Sequence, residues 1–475
     1  MKRPFYFVCY FFLLSVTVFA QKTKPEVFKS IDSKMDFYTG IEQKIWGFAE
    51  VGFQETQSSA LLQRTLKDAG FQIEAGVAGM PTAFIATYGS GKPVIGILGE
   101  FDALPGVAQQ AVPEQKTIEG QKAGHACGHH LFGTASSAAA IAVKEWLIAN
   151  KKSGTIKFFG TPAEEGGSGK VYLVRDGFFT GVDAVFHWHP SARNSATYSS
   201  SLANKSGKFR FYGVASHASG SPQRGRSALD AVEAMDAMVN MLREHVDERT
   251  RIHYVITRGG EAPNVVPAFA EVYYYVRHPN PSEVKSVWER VTKAAQGASI
   301  GTETRFEVEL TGGVYNLLPN EVLAKTVDSN LRTTGGYIYT PTEKEFAMKI
   351  QSTFSNKPPL ESTNEIAPFG AGDDIGGSTD VSDISWVVPT AGLGTATWVP
   401  GTAAHSWQAV AAGGMSIGAK GMMIAAKTLS GAMIDAFSDP QLIEDAWKEF
   451  NRKRGENFKY EPLIGDRKPA LDYRK

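Results

Sequence analysis

Apolar positions along this chain follow two alternating rhythms. Across residues 37–70 they recur at helical spacing, through Ile41, Ile45, Phe48 and Ala49 and then Ala60, Leu61, Leu62 and Leu66, until Gly70 breaks the pattern. Val94-Ile95-Gly96-Ile97-Leu98-Gly99 is a short unbroken run, which predicts a buried strand leading into Glu100-Phe101-Asp102. Residues 131–148, rich in alanine and other small side chains, predict a close-packed helix. Thr155-Ile156-Lys157-Phe158-Phe159 predicts a second strand that runs into Glu164-Glu165, and 171–179 a helix. Ala184-Val185-Phe186 predicts a third strand, running into His187-Trp188-His189. This alternation predicts an α/β fold with a mainly parallel sheet between helices.

From residue 205 to about 314 the rhythm changes. Residues 208–214 alternate as a strand, and 227–245 form an amphipathic helix with Ala231, Met235, Met238 and Leu242 on one face. Strands over 252–258 and 270–277, a helix over 282–295 and a strand over 304–310 complete the order βαββαβ. That is the ferredoxin-like arrangement. Strand–helix alternation resumes afterwards, so 205–315 is expected as an inserted domain dividing a larger one into 21–204 and 316–475. Residues 415–434 predict a small-residue helix packed on the sheet.

Residues 1–20 stand outside both rhythms. Lys2 and Arg3 precede an apolar run over 5–19, and Val18-Phe19-Ala20 gives way to polar Gln21-Lys22-Thr23-Lys24. This predicts a signal peptide cleaved after Ala20, since the run is short for a bilayer span. The mature chain is therefore expected to be secreted or periplasmic in a bacterium, with no membrane segment after processing. The 49 basic and 49 acidic residues cancel, which suggests neither nucleic acid nor an anionic membrane as partner. Of two cysteines, Cys9 falls in the leader without the small residue before it that lipoprotein processing needs, so Cys127 is left with no intrachain disulfide to make.

Cys127 sits in His125-Ala126-Cys127-Gly128-His129-His130, a thiol and three imidazoles within six residues. Thiolate and imidazole suit zinc and related transition metals; taken alone, the hexapeptide equally fits a buried cysteine beside surface histidines. Its surroundings favour metal. Three strands deliver Asp102, Glu164 with Glu165, and His189 to the edge of the sheet where α/β folds bind ligands.

The ordered series Glu100-Phe-Asp-Ala-Leu-Pro, His125-Ala-Cys-Gly-His-His, Thr161-Pro-Ala-Glu-Glu-Gly-Gly, Ser216-His-Ala, Gly225-Arg-Ser-Ala-Leu-Asp-Ala, Pro263-Asn-Val-Val-Pro, Gly377-Ser-Thr-Asp-Val-Ser-Asp and His405-Ser-Trp-Gln resembles the dinuclear metallopeptidase family of aminoacylases and carboxypeptidases, in its p-aminobenzoyl-glutamate hydrolase branch. The resemblance spans essentially the whole mature chain. It implies two divalent metal ions per subunit, Zn or Mn, bridged by Cys127, with His129, Glu165, His189 and His405 completing their shells. Asp102 would orient His129 through its other ring nitrogen. Glu164, pointing away from Glu165 if the two follow a strand end, would be the general base. The inserted domain would act as lid and dimerisation domain. Its His217 would stabilise the tetrahedral oxyanion, usually in the other subunit's site, and Asn264 and Arg277 would hold the substrate carboxylate.

Two positions depart from the family pattern. Glu100 stands where many relatives place a metal-binding histidine, and is either an outer carboxylate of the site or a strand-end polar residue. His130 replaces an aspartate or asparagine; it either perturbs the site's electrostatics or caps the following helix, the second being preferred. His187 and His189 share a strand face, so either imidazole meets the spacing for a ligand. The expected function is metal-dependent hydrolysis of the amide bond of an N-acyl or N-aroyl amino acid, by a homodimer or a heteromer with a related subunit. Alternatives are a dipeptidase or carboxypeptidase acting on small peptides and, more remotely, an exported binder of metal or ligand without chemistry.

Overall fold

The computed structural model describes residues 21–196, 198–370 and 377–474; residues 1–20, where a signal peptide is expected, lie outside them. The short apolar runs become strands because each is buried along its length. Strands β1 (Gln72–Ala75), β2 (Phe84–Ser90), β3 (Val94–Gly99), β4 (Gly154–Gly160) and β5 (Ala184–Ser191) join Thr390–Ala396 in one six-stranded sheet, in the order β1-β2-β4-β3-β5 and then Thr390–Ala396. Pairing is parallel for β3 with β4, β3 with β5, and β5 with Thr390–Ala396. It is antiparallel at the edge formed by β1 and β2. β1 carries mostly exposed side chains, so it leaves no apolar run to read.

The helix His129–Ala149 packs on β3, β4 and β5 and against the helix Ser416–Ser438. Small residues bring it close: a Cβ at Gly133 would lie 2.7 Å from the carbonyl oxygen of Glu100. This helix is long and apolar enough to cross a membrane, but 83% of its apolar window is buried inside the protein, as in a core helix.

Strands β6 (Ala203–Tyr212), β7 (Arg251–Arg258), β8 (Phe269–His278) and β9 (Arg305–Val314) form a second sheet, fully antiparallel, in the order β9-β6-β8-β7. Helices Ala228–Leu242 and Pro281–Gly301 cover one of its faces, where Phe209, Val272, Tyr274 and Val276 meet Met235, Val287 and Trp288 in a core of their own. Period-2 alternation sends Tyr275 and Arg277 to the opposite face, over the carboxyl edge of the large sheet. Residues 455–474 then strap the two units together. Leu463 joins the core of the small sheet, Ile464 that of the large one, and the Tyr473 hydroxyl donates to the carbonyl of Glu165 at 3.0 Å.

Candidate metal centre

Strands β3, β4 and β5 each lead into a residue of one cluster. Past β3 come Glu100 and Asp102, past β4 Glu164 and Glu165, and the end of β5 carries His189. Cys127 precedes the helix that opens with His129, and His405 lies in the turn before the helix Trp407–Gly413. Gly128 makes the first of these turns possible. Its φ is +79°, and a Cβ there would sit 2.7 Å from Pro190.

Metal-ligating atoms converge in two groups that share the thiol. Cys127, His129 and His189 form one, and Cys127, Glu165 and His405 the other, with the ligating atoms of each group within 4.8 Å of one another. The Cys127 Sγ lies 3.3 Å from His189 Nε2, and Glu165 Oε1 lies 3.2 Å from His405 Nε2. A hydrogen bond orients the imidazoles of buried His129 and half-buried His189. His129 Nδ1 is 2.9 Å from Asp102 Oδ1, and His189 Nδ1 is 2.8 Å from the carbonyl of Pro190. The other carboxylate oxygen of Asp102 accepts the backbone N–H of Glu165 at 2.9 Å, so one side chain fixes two donors. His129 Nε2 lies 3.0 Å from Glu100 Oε2, and Glu165 Oε1 3.2 Å from His405 Nε2, so each faces another ligand-type atom. One thiol, three imidazoles and a carboxylate gathered in this way are a donor set that fits divalent cations.

Glu164 does not point away from Glu165. The two lie in a tight turn, Glu164–Gly167, entered through Ala163 at φ +57°, and their oxygens meet with His129 in a third group within 4.8 Å. Alternation along a strand therefore does not apply. Buried Glu55 holds the turn, accepting Ala163 N–H at 2.9 Å and the Thr82 hydroxyl at 2.9 Å. Burial, then the carboxylates of Glu100, Glu165 and Asp380, push Glu164 well above the usual carboxylate range.

The strand-end residue Glu100 is fully buried. Its Oε2 lies 3.0 Å from His129 Nε2, and its Oε1 accepts Lys170 Nζ at 2.7 Å. Lys170 reaches Asp380 at 2.7 Å with the same ammonium group. Burial works against that charge, but Asp380 and Glu100 outweigh it and raise Lys170. Sequence reasoning assigns no role to Lys170, Asp380 or Glu55. The one signal is a lysine at the head of an apolar helix, Gly169–Arg175.

His130 is not a cap. Gly128 occupies the capping position, and the His130 ring is buried inside the first turn, with Nε2 3.1 Å from the carbonyl of Gly413. It packs 4.8 Å from the ring of His125, whose Nε2 is 3.0 Å from the carbonyl of Ile45. Burial pushes His125 down to about 3 and His130 well below its usual range, so both are uncharged structural imidazoles. His187 also stands outside the cluster, its ring against the backbone of Gly392.

The residues expected to touch substrate divide. Arg277 lines a cleft of about 460 Å³ together with Glu164, Glu165 and His405. His217 and Asn264 stand away from it, exposed on neighbouring loops of the small-sheet unit, where Ala218 N–H donates to the Asn264 carbonyl at 3.0 Å. Gly220 N–H donates to His217 Nδ1 at 3.0 Å, which leaves Nε2 facing outward.

Comparison with known proteins matches residues 203–302 to a peptidase dimerisation domain. The chain is 40% identical over 455 residues to one of the subunits of the p-aminobenzoyl-glutamate hydrolase of Escherichia coli (strain K12), covering 89% of this chain and 95% of that one. It is 29% identical over 450 residues to the Xaa-Arg dipeptidase of Mus musculus, covering 90% and 92%. Among solved structures, the Bacillus subtilis YXEP protein, a dinuclear metal-binding peptidase of the M20 family, superposes with a TM-score of 0.57 at 16% identity, covering 86% and 99%.

Proposed function

The chain belongs to the M20 peptidase family and is a hydrolase of amide bonds, and from that premise we propose that it cleaves N-acyl or N-aroyl amino acids of the p-aminobenzoyl-glutamate kind. The observation that carries the proposal is the pair of donor groups sharing Cys127, with Glu164 beside them in the cleft. Cys127, His129, Glu165, His189 and His405 would hold two divalent ions, zinc or manganese. Such ions supply Lewis acidity to the scissile carbonyl and to water.

The chain's own residues do the rest. Glu164, with its raised proton affinity, takes a proton from water and returns it to the leaving amine nitrogen. Asp102 keeps the His129 proton on Nδ1 and holds the Glu165 backbone in register. Lys170 balances the negative charge of Glu100 and Asp380 behind the base. Arg277 takes the amino-acid carboxylate with its forked donors. Hydrolysis releases a carboxylic acid and a free amino acid.

His217 and Asn264 complete the site of a second copy. The reading of 205–315 as a lid and dimerisation unit is supported by exposed Val214, Val255, Ile256 and Val265 on that unit, and a homodimer is proposed over a heteromer. The basic and apolar leader supports export to a bacterial periplasm, which isolation of a mature chain beginning at Gln21 would test.

Chelator inactivation, rescue by zinc or manganese, and turnover of N-aroyl-glutamate by the rescued enzyme test the main proposal. Full amidase activity in metal-free protein would overturn it. An assay of dipeptides beside acyl amino acids separates it from a dipeptidase, a reading that the 29% identity to the Xaa-Arg dipeptidase keeps in view.

A further inference from the structure

A second cavity, of about 750 Å³, opens beside the cleft and shares Tyr275 and Arg277 with it. Arg249, Arg251 and His253 line the rest of its polar wall, and no carboxylate lines it among the described residues. The strand register explains the clustering. Arg277 pairs with Arg251 across β8 and β7, and Tyr275 pairs with His253, so all four project from the face that the helices leave open. Like charges directly opposite on a sheet are destabilising. A face that keeps them without a counter-charge is arranged for an anion.

The cations differ in how they are spent. Arg249 reaches the exposed Asp247 at 3.3 Å. Arg251 donates only to the backbone carbonyls of Glu248 and Thr250, at 2.6 and 3.0 Å, which steers its guanidinium without neutralising it. The Nε of Arg277 is buried with no hydrogen-bond partner. The field is felt locally: burial, then Arg277, Arg243 and Arg251, hold His253 below its usual range.

We infer that this cavity is a subsite for further carboxylates on the amino-acid side of the substrate, read by Arg249 and Arg251 beyond the carboxylate held by Arg277. The inference rests on the proposed function and narrows it. The preferred substrates are N-acyl derivatives of acidic amino acids and of short acidic peptides. Geometry supplies the order: the amide lies at the donor cluster, the first carboxylate at Arg277, and the remainder of the leaving group enters the neighbouring cavity. Its volume is within the range that holds a ligand larger than one amino acid.

The test compares kcat/KM for N-aroyl-glutamate, N-aroyl-glutamyl-glutamate and N-aroyl-alanine in the wild type, Arg251→Gln, Arg251→Lys and Arg249→Ala/Arg251→Gln. The ratio of acidic to neutral substrate is expected to fall about tenfold in Arg251→Gln, through KM, and to recover in Arg251→Lys. Loss of one charge contact of about 1.4 kcal/mol gives that factor. Calorimetric titration of the purified chain with glutamyl-glutamate gives a readout independent of turnover, with binding expected in the wild type, weakened by added salt and lost in the double variant. A ratio unchanged in every variant, an equal loss on acidic and neutral substrates, or a change in oligomeric state without a change in selectivity would overturn the inference. If the wild type binds glutamyl-glutamate through these arginines but hydrolyses none of the three amides, the proposed function fails and the subsite stands. If it hydrolyses them without discrimination by Arg251, the subsite fails and the function stands.

Discussion

The two walls of the cleft are opposites in charge and in burial. The wall built on the large sheet is acidic and closed, with Glu100, Asp102 and Asp380 each no more than 2% exposed and tied to His129, Glu165 or Lys170. The wall built on the small sheet is basic and open: half-buried Arg277 lines the cleft, and exposed Arg249 and Arg251 line the cavity beside it. Buried charges persist only when paired and hydrogen-bonded, and so become fixed in place. Exposed arginines stay hydrated and adaptable. Under the proposed function this contrast divides the labour: the rigid wall would hold the donors in place, and the open wall would recognise what approaches.

Removing the proposed base from the rigid wall while keeping its shape is expected to have the largest effect. Glu164→Gln is expected to lower kcat about a thousandfold with two metals per chain still found by elemental analysis. Loss of metal along with activity would make Glu164 a ligand instead. His217→Ala, on the open unit, is expected to cost about a hundredfold in kcat as an oxyanion donor. Because His217 stands apart from its own chain's cluster, mixing the Glu164→Gln and His217→Ala chains under exchange conditions should restore activity. Roughly a quarter of all sites would then be intact in a symmetric dimer, and no recovery would refute a shared site. Asp102→Asn keeps the size of the side chain but weakens its hold on His129 and Glu165, and is expected to reduce metal affinity about 10–100-fold in a competition titration.

A smaller effect sharpens the boundary between the walls. Asp383 accepts the Tyr460 hydroxyl at 2.6 Å and the Tyr315 N–H at 3.0 Å, just where the chain leaves the small sheet. Burial lifts it from 3.8 to about 7. The folded protein then holds a proton that the unfolded chain has released, so stability from this group is present near pH 4 and lost as pH rises toward 7. Asp383→Asn should flatten the dependence of Tm on pH across that window relative to wild type. An unchanged slope would mean that Asp383 is ionised in the fold.

Much of this is legible along the chain. The runs 94–99 and 155–159, and the residues after them, locate the sheet edge. The order of motifs identifies the family, and the spacing Cys127-Gly128-His129 gives two candidate donors, which the fold brings into one group with His189. Other features are not legible, for identifiable reasons. Glu164 and Glu165 read as a strand-end pair pointing apart, because nothing nearby announces that Ala163 takes a left-handed conformation; Glu55, 108 residues away, imposes it. His130 resembles a helix cap in sequence because it stands at a helix start, but Gly128 already fills that position and the ring turns inward to Gly413.

The candidate donor types, their order and the strands that carry them can be read along the chain, since they depend on local apolar periodicity and on turn residues within a few positions. Which charges meet depends on the folded chain. Lys170 finds Asp380 across 210 residues and reaches back to Glu100 before it, and Arg251 faces Arg277 only because β7 and β8 pair in that register. Electrostatic pairing acts over a few ångströms in space. Distance along the chain carries no record of it until the sheet has formed.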